Sequence, residues 1–165
     1  IGMEATATAR DLQYLRHAIA FAPTSRARGK HPFAALIVDA HGEVLAEAGN
    51  AFGWPDGDAT GHAELLAVRD ASQRFPPARL AQATLYSSAE PCAMCAGAIH
   101  WGNVRRVVFA LSELALYQFV GPSPDNLLLP CQEVFARSQR PVEVVGPAPE
   151  LEVEAWAVHE GFWTI

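Results

Sequence analysis

The chain has 165 residues, 50% of them hydrophobic and 18% charged, and this composition indicates one globular domain with a substantial core. It contains neither an apolar run that would span a bilayer nor the basic start and apolar middle of a signal peptide, and its three cysteines do not make a disulfide framework, so we expect a cytoplasmic protein. The formal net charge of −6 argues against a nucleic-acid partner.

The first third of the chain predicts a helix and a β-hairpin. Ile1-Gly2, ahead of Met3, is expected to be a cloning remnant and takes no part in the fold. Residues 8–22 carry apolar side chains at helical spacing behind a variant of a capping box, which predicts a surface helix. The basic cluster 26–31, which includes His31, predicts a solvated surface loop, with an anion site or substrate entry as the alternative. The apolar runs 33–38 and 44–48 flank a turn and predict two antiparallel strands.

The segment Thr60-Gly61-His62-Ala63-Glu64 predicts the start of a second helix. Thr60 has the side chain of an N-cap, and the helical pattern continues to about residue 72. His62 and Glu64 are two positions apart and project to different sides of the first turn. One of them can therefore bind a metal ion while the other faces whatever the ion activates.

A second segment, Pro91-Cys92-Ala93-Met94-Cys95, follows a predicted third strand at 83–87 and begins another helix. Cys92 and Cys95 are three positions apart, so both sulfurs lie on one face of the first turn, and Pro91 suits the first helical position. The helix runs to about residue 100 and leads to a fourth strand, 104–110, which should lie parallel to the third.

His62, Cys92 and Cys95 together predict a zinc site with an open position. Zinc prefers four ligands, and three protein ligands leave room for a water whose pKa the ion lowers to roughly 7. Glu64 is then the proton carrier. A redox pair of cysteines, or a closed structural site completed by Cys131, is the alternative, but neither requires a carboxylate two residues after the histidine.

Beyond residue 111 the pattern is weaker. We predict a short helix at 112–119, helical spacing broken by a proline within 125–137, a fifth strand at 141–145 and a terminal helix at 150–163. The aromatic residues of the terminal segment, Trp156, Phe162 and Trp163, either pack in the core of their own chain or close the active site of a neighbouring subunit. We expect His159, which lies among them, to be a surface residue.

The H-x-E and P-C-x-x-C segments resemble the signature of zinc-dependent cytidine and nucleobase deaminases. The resemblance covers residues from about 10 to 112 and includes Pro32-Phe33-Ala34-Ala35, Asn50, Thr84-Leu85-Tyr86, Ser87-Ser88-Ala89-Glu90 and Ala96-Gly97-Ala98-Ile99-His100-Trp101. Within that superfamily the chain looks most like bacterial guanine deaminases and tRNA adenosine deaminases.

The resemblance implies a fold, a cofactor and a set of site residues. Residues 1–165 would form a single α/β domain, a three-layer α/β/α sandwich with a five-stranded mixed sheet of order 2-1-3-4-5. One Zn²⁺ per chain is implied, as is a homodimer in which residues 150–165 complete the active site of the neighbour. The implied site residues are His62, Cys92 and Cys95 for zinc, Glu64 for catalysis, and Phe33, Asn50, Ala63 and Trp101 for the substrate.

The implied reaction is the hydrolytic deamination of an amino-substituted nitrogen heterocycle with release of ammonia. A free nucleobase is expected rather than tRNA, because the acidic chain lacks the electrostatic footprint of a nucleic-acid-binding protein, and guanine is the first choice. Cytosine, another aminopurine, a triazine and tRNA adenosine are the alternatives. A zinc-stabilised binding module without turnover is the non-enzymatic alternative, and Glu64 argues against it.

Overall fold

The computed structural model describes residues 6–163, which form a five-stranded mixed sheet covered by helices on both faces. The predicted strand order 2-1-3-4-5 is confirmed. None of the helices in the described range is both long and apolar enough to cross a membrane. The strands are β1 (Ala34–Val38), β2 (Val44–Gly49), β3 (Thr84–Ala89), β4 (Arg106–Leu111) and β5 (Glu143–Val145). The helices are α1 (Ala9–Ala27), α2 (Ala63–Arg74), α3 (Pro77–Leu80), α4 (Ala93–Trp101), α5 (Glu113–Val120), α6 (Cys131–Phe135) and α7 (Glu152–Ala157).

The mixed sheet follows from the connections between its strands. A tight turn joins β1 to β2, and the two strands pair antiparallel. β1 also pairs antiparallel with β3, whereas α4 carries the chain from β3 to β4, so these two strands lie parallel. The register places the start of β1 beside the ends of β2 and β3, and the end of β3 beside the end of β4. The segments that carry the predicted site residues therefore meet at one end of the strands, where β1 starts and β2, β3 and β4 end.

Two hydrophobic cores lie on opposite faces of this sheet. Successive side chains of a strand point to opposite faces, so Ile37 packs in the core beneath α2 and α4, while Leu36 packs in the core beneath α1. The same alternation places Val107 in the first core and Val108 in the second. Both faces are covered, which explains why β1 and β4 read as continuous apolar runs in the sequence.

The helix carrying His62 begins two residues later than Thr60 predicts. The N-cap of α2 is His62, and the Thr60 hydroxyl instead donates to the Asp58 carboxylate at 2.7 Å. Gly61 leads the chain past residue Ala51, and a Cβ at Gly61 would lie 2.9 Å from the Ala51 carbonyl oxygen. The prediction of Thr60 as N-cap is therefore wrong, because residues 58–61 form a turn in which the Gly61 N–H donates to the Asp58 carbonyl at 3.2 Å, and the helix begins only after this turn.

Other predicted boundaries also change. α1 starts as predicted, with a reciprocal capping box between Thr8 and Asp11, but it continues through Pro23 to Ala27. α4 begins at Ala93 with Cys92 at the N-cap, so Pro91 precedes the helix instead of opening it. Within 125–137 only α6 is helical, and the segment predicted as a connector at 75–80 contains α3.

The predicted terminal helix at 150–163 is much shorter in the structure. A 3₁₀ turn at Pro149–Leu151 leads into α7, and the chain then leaves the helix and turns back towards the sheet. The expected cloning remnant Ile1-Gly2 lies outside the described residues.

Candidate active site

The side chains of His62, Cys92 and Cys95 come together where α2 and α4 begin. Their ligand atoms all lie within 4.8 Å of one another, and His62 Nδ1 is 3.4 Å from Cys92 Sγ. A tetrahedral zinc ion with bonds of about 2.1 Å to nitrogen and about 2.3 Å to sulfur would hold those two atoms about 3.6 Å apart. The donor set and its spacing therefore fit a zinc ion with three protein ligands.

Neither α2 nor α4 begins with a usual capping residue, because the N-cap position of each helix holds a predicted zinc ligand. His62 and Cys92 occupy the N-cap positions of α2 and α4, and neither is one of the Ser, Thr, Asp or Asn residues that usually cap a helix. A capping side chain at such a position usually contributes about 1 kcal/mol. The positive ends of the two helices face the sulfurs instead, which favours thiolates.

Hydrogen bonds among the ligands already favour one thiolate. The Cys95 thiol, the His62 imidazole and the Cys95 backbone N–H all donate to Cys92, and against the opposing effect of burial they lower the pKa of Cys92 to about 4. The same contact with Cys92 raises the pKa of Cys95, and burial raises it further. The interaction with Cys92 also raises the pKa of His62, in spite of its burial.

Glu64 lies in the first turn of α2, buried against the sheet. Its side chain is only 6% exposed, and the Ser87 hydroxyl donates a 2.7 Å hydrogen bond to its Oε1. Burial raises the pKa of this carboxyl, and the nearby Cys92 raises it further, while the Ser87 hydrogen bond offsets only part of the effect. Glu64 can therefore hold a proton beside the ligand group.

A cavity of about 500 Å³ opens over the ligand group and reaches Glu64. Phe33 and Asn50, two of the residues expected to bind the substrate, line it, and Phe52 forms another part of the wall. The Phe52 backbone N–H donates to Asn50 Oδ1 at 3.0 Å, so the amide oxygen is already engaged. The Asn50 NH₂ group remains to donate to a carbonyl oxygen in the cavity.

Comparison with known proteins accounts for this arrangement. Residues 8–111 match the cytidine and deoxycytidylate deaminase zinc-binding region. The chain belongs to this deaminase family. It is 43% identical over 157 residues to a probable cytosine deaminase from Schizosaccharomyces pombe, a match that covers 93% of each chain. It is also 36% identical over 103 residues to the tRNA-specific adenosine deaminase of Haemophilus influenzae, covering 62% of this chain and 59% of that one.

A solved guanine deaminase structure shares the fold of this chain. The solved structure of guanine deaminase from Nitrosomonas europaea superposes with a TM-score of 0.71 at 22% sequence identity, over 98% of this chain and 88% of the other. A superposition at this level of identity establishes the common α/β fold.

Two predicted substrate-binding residues do not line the cavity of the deaminase. Trp101 is 81% exposed at the last residue of α4. The ligand Cys92 precedes the first residue of that helix, and nine residues of helix span about 13 Å, so Trp101 lies too far along α4 to stack on a ring in the cavity. Ala63 is fully buried beside Glu64, and its backbone N–H in the first turn of α2 lacks an intrahelical partner.

His31 lines the cavity, so its prediction as part of a solvated surface loop is wrong. It is half-buried, and its ring stacks on Phe52 with centroids 5.5 Å apart. Lys30 donates to the Phe52 carbonyl at 3.2 Å, which holds the loop against the segment after β2. In the sequence, only its position two residues before the predicted substrate-binding residue Phe33 indicated that His31 would lie at the cavity.

Two carboxylates in the cavity were also missed by sequence reasoning. Glu90 accepts the backbone N–H of Glu113 at 3.0 Å and that of Cys131 at 2.9 Å, and so it joins the β3–α4 loop to the starts of α5 and α6. Burial, together with the charges of Glu90 and Cys92, raises the pKa of Glu113 to about 7. Cys131 is buried behind Glu90 and does not join the ligand group formed by the described residues.

Proposed function

We propose that this deaminase removes the exocyclic amine of a free nucleobase by hydrolysis, with cytosine as the first candidate substrate and one zinc ion per chain. The observation that carries the proposal is a single cavity that contains the ligand group, the buried Glu64 and the donor group of Asn50. A binding module without turnover has no use for a buried carboxylate beside its metal ligands, so the geometry supports an enzyme.

The charges in the cavity favour an uncharged substrate over a nucleotide or tRNA. The acidic side chains Glu90, Glu113 and Asp125 line the cavity, and no Lys or Arg in the described part of the chain does. Phosphate groups bind to proteins mainly through Lys, Arg and free backbone N–H groups, and they dominate the affinity for nucleic acids. A free base brings no phosphate into this acidic environment.

Two observations favour cytosine. The S. pombe relative described as a probable cytosine deaminase matches the chain over nearly its whole length. In addition, the NH₂ group of Asn50 is a donor that suits the O2 carbonyl of the pyrimidine when C4 faces the ligand group. Guanine, the base expected first from the sequence, remains the second candidate, because the carboxylates of Glu113 and Asp125 in the cavity can accept hydrogen bonds from its ring N–H groups.

The proposed mechanism assigns each proton transfer to Glu64. His62, Cys92 and Cys95 would hold zinc, which supplies a water activated for attack at neutral pH. Glu64 would accept one proton from the attacking water and deliver it to the ring nitrogen beside the reacting carbon. It would then take the second proton from the new hydroxyl group on that carbon and deliver it to the leaving amine. Water and the aminated ring become a ring carbonyl and ammonia. Ser87 fixes the rotamer of Glu64 through its 2.7 Å hydrogen bond.

The remaining expectations from the family resemblance stand as predictions. The backbone N–H groups of Ala63 and Cys92 are proposed to orient the base, and Phe33 to stack on it. Homodimerisation and a cytoplasmic location are also predictions, and sedimentation of the purified protein tests the first.

A screen of ammonia release by the zinc-loaded protein tests the proposed function. The substrates are cytosine, guanine, isocytosine, adenine, the nucleoside cytidine and a tRNA with adenosine in the anticodon. We expect turnover of a free base, with cytosine fastest, and little turnover of cytidine or tRNA. Turnover of tRNA alone, or of none of these compounds by protein with a full complement of zinc, would contradict the proposal.

A further inference from the structure

The aromatic residues after α7 pack on their own chain, close to the cavity. Trp163 lines the cavity, and its ring centroid lies 5.0 Å from that of His31. Trp156 packs against Phe119 with centroids 4.7 Å apart. These contacts agree with the first of the two alternatives, packing on the own chain, and closure of a neighbour's active site by the tail remains a prediction.

His159 lies behind Trp163 and is one of the most deeply buried polar residues of the chain. Its side chain is 1% exposed, which makes the prediction of a surface histidine wrong. Its ring packs against Phe33, with centroids 5.3 Å apart, and lies nearly parallel to the Trp163 ring. Phe33 and Trp163 both line the cavity, so His159 supports two of its walls from behind.

The hydrogen bond between these residues has a fixed direction. Trp163 Nε1 and His159 Nδ1 are 3.0 Å apart, and an indole N–H can only donate. Nδ1 of His159 must therefore carry the lone pair, and the neutral ring carries its proton on Nε2, which has no partner among residues 6–163. A protonated ring would place a second donor against the indole N–H and would lose the bond.

The surroundings of His159 keep the ring neutral. Burial, together with the Arg26 guanidinium, lowers the pKa of His159 to about 4. Arg26 itself donates to the Val158 carbonyl at 3.0 Å and lies over the Phe162 ring, so its charge is fixed beside the segment. The hydrogen-bond acceptor for Trp163 is consequently present at neutral pH.

We propose that His159 is a positioning residue, whose unprotonated Nδ1 holds the Trp163 indole against the cavity so that the substrate ring is enclosed on that side. The inference rests on the proposed function, because the enclosed ring is the base to be deaminated. His159 does not touch the ligand group or Glu64, so it acts on substrate binding and leaves the chemical step alone. Enclosure also excludes water, which strengthens the electrostatic contacts inside the cavity.

A double-mutant cycle on the zinc-loaded protein tests the pair. His159→Phe keeps an aromatic ring but removes the acceptor, and Trp163→Phe removes the donor. Each should raise KM for the base about tenfold, the worth of one hydrogen bond, with kcat changed by less than about twofold. The KM of the double variant should be no higher than that of either single variant, because both substitutions remove the same hydrogen bond.

Two further variants serve as controls. His159→Gln retains an acceptor and should restore most of the lost affinity, and Trp54→Phe, in an exposed loop, should leave KM unchanged.

A second measurement keeps the inference separate from the proposed function. Acrylamide quenching of tryptophan fluorescence needs no turnover, and we expect it to increase in His159→Phe and stay near the wild-type value in His159→Gln. If no base is deaminated but quenching follows this order, the proposed function fails and the positioning role stands. Additive effects in the cycle, a fall in kcat with unchanged KM, or quenching that is equal in the Phe and Gln variants would overturn the positioning role.

Discussion

Tyr86 and Ser87 are neighbours on β3 that point to opposite faces of the sheet, and each donates a hydrogen bond to a buried carboxylate. The Tyr86 hydroxyl lies 2.9 Å from Asp11 Oδ1 on the α1 face, and the Ser87 hydroxyl lies 2.7 Å from Glu64 Oε1 on the α2 face. Asp11 is 2% exposed and Glu64 is 6% exposed. The two carboxylates thus share burial, a hydroxyl donor and a place in the first turn of a helix.

The Arg106 guanidinium makes the pKa values of these two carboxyl groups differ. Arg106 contacts both oxygens of Asp11, at 2.7 and 2.8 Å, whereas no Lys or Arg forms an ion pair with Glu64 among residues 6–163. Burial alone would raise the pKa of Asp11, but Arg106, the Thr8 N–H and Tyr86 outweigh it and lower the pKa to about 2. Burial raises the pKa of Glu64 without such compensation. Asp11 therefore stays ionised at neutral pH and stabilises the fold, whereas Glu64 can exchange a proton.

Removing a metal ligand should have the largest effect, and only on the Glu64 side of the sheet. His62→Ala, Cys92→Ala and Cys95→Ala should each lose zinc and ammonia release together, because each removes one of three ligands. Zinc content by mass spectrometry and the rate of ammonia release measure this. Cys131→Ala is the matched thiol control and should retain both. Loss of zinc in that variant, with Cys92→Ala still loaded, would show that the ligands have been wrongly assigned.

Breaking the ion pair on the other face should cost stability and spare the chemistry. Arg106→Met leaves Asp11 buried without its cation, and we expect the free energy of unfolding to fall by about 3 kcal/mol. Urea denaturation measures the change, and the rate per bound zinc should stay near that of the wild type. Arg16→Met removes an exposed pair with Glu154, at 3.7 Å, and should change stability by less than about 1 kcal/mol. Equal effects of the two substitutions would mean that burial of Asp11 is unimportant.

Lowering the pH should remove the contribution of Asp11 to the free energy of unfolding. Its pKa is about 2 in the folded chain and about 3.9 in an unfolded one, so its stabilisation is complete above pH 5 and is lost as the pH falls towards 2. The difference in unfolding free energy between wild type and Asp11→Asn should shrink by about 2 to 3 kcal/mol over that range. A difference that is constant from pH 6 to pH 2 would be inconsistent with an ionised Asp11 at neutral pH.

The smallest effects should come from the two neighbouring hydroxyls of Tyr86 and Ser87, and they differ in kind between the two faces of the sheet. Tyr86→Phe should lower stability by about 1 kcal/mol without changing kcat, whereas Ser87→Ala should reduce kcat about tenfold because Glu64 loses its fixed rotamer. Thermal unfolding and steady-state kinetics on the same preparations separate the two. The opposite assignment of effects would reverse the roles of the two faces.

The sequence predicts the parts of this molecule that depend on local spacing. The pairing of β1 with β2 follows from the hairpin at 39–42, and the parallel pairing of β3 with β4 follows from the crossover through α4, whereas the full strand order came from the family resemblance. The ligand group follows from two short segments with a characteristic spacing. The start of α2 was predicted wrongly because residues 58–61 form a turn, closed by the Gly61 N–H and the Asp58 carbonyl, before the helix begins. Helical periodicity does not show where such a turn ends.

Residues that reach the cavity by tertiary contacts were not predictable in the same way. His31, Glu113 and Trp163 line the cavity and come from three different loops or helix ends, and only the register of the sheet brings those segments together. Trp101 is the opposite case, because it follows the ligands in sequence yet lies at the far end of α4. Closeness in sequence to a motif therefore did not mean closeness to the site.

The role of Glu64 as the proton carrier is tested by the rate of ammonia release from cytosine by Glu64→Gln, at zinc content equal to that of the wild type. The substitution keeps the size of the side chain and one oxygen that can accept from the Ser87 hydroxyl, but it removes the ability to carry a proton. We predict that the variant binds zinc normally and loses about 10² to 10⁴ in kcat, the usual contribution of general acid and base chemistry. Turnover close to that of the wild type would contradict the role of Glu64 as the proton carrier.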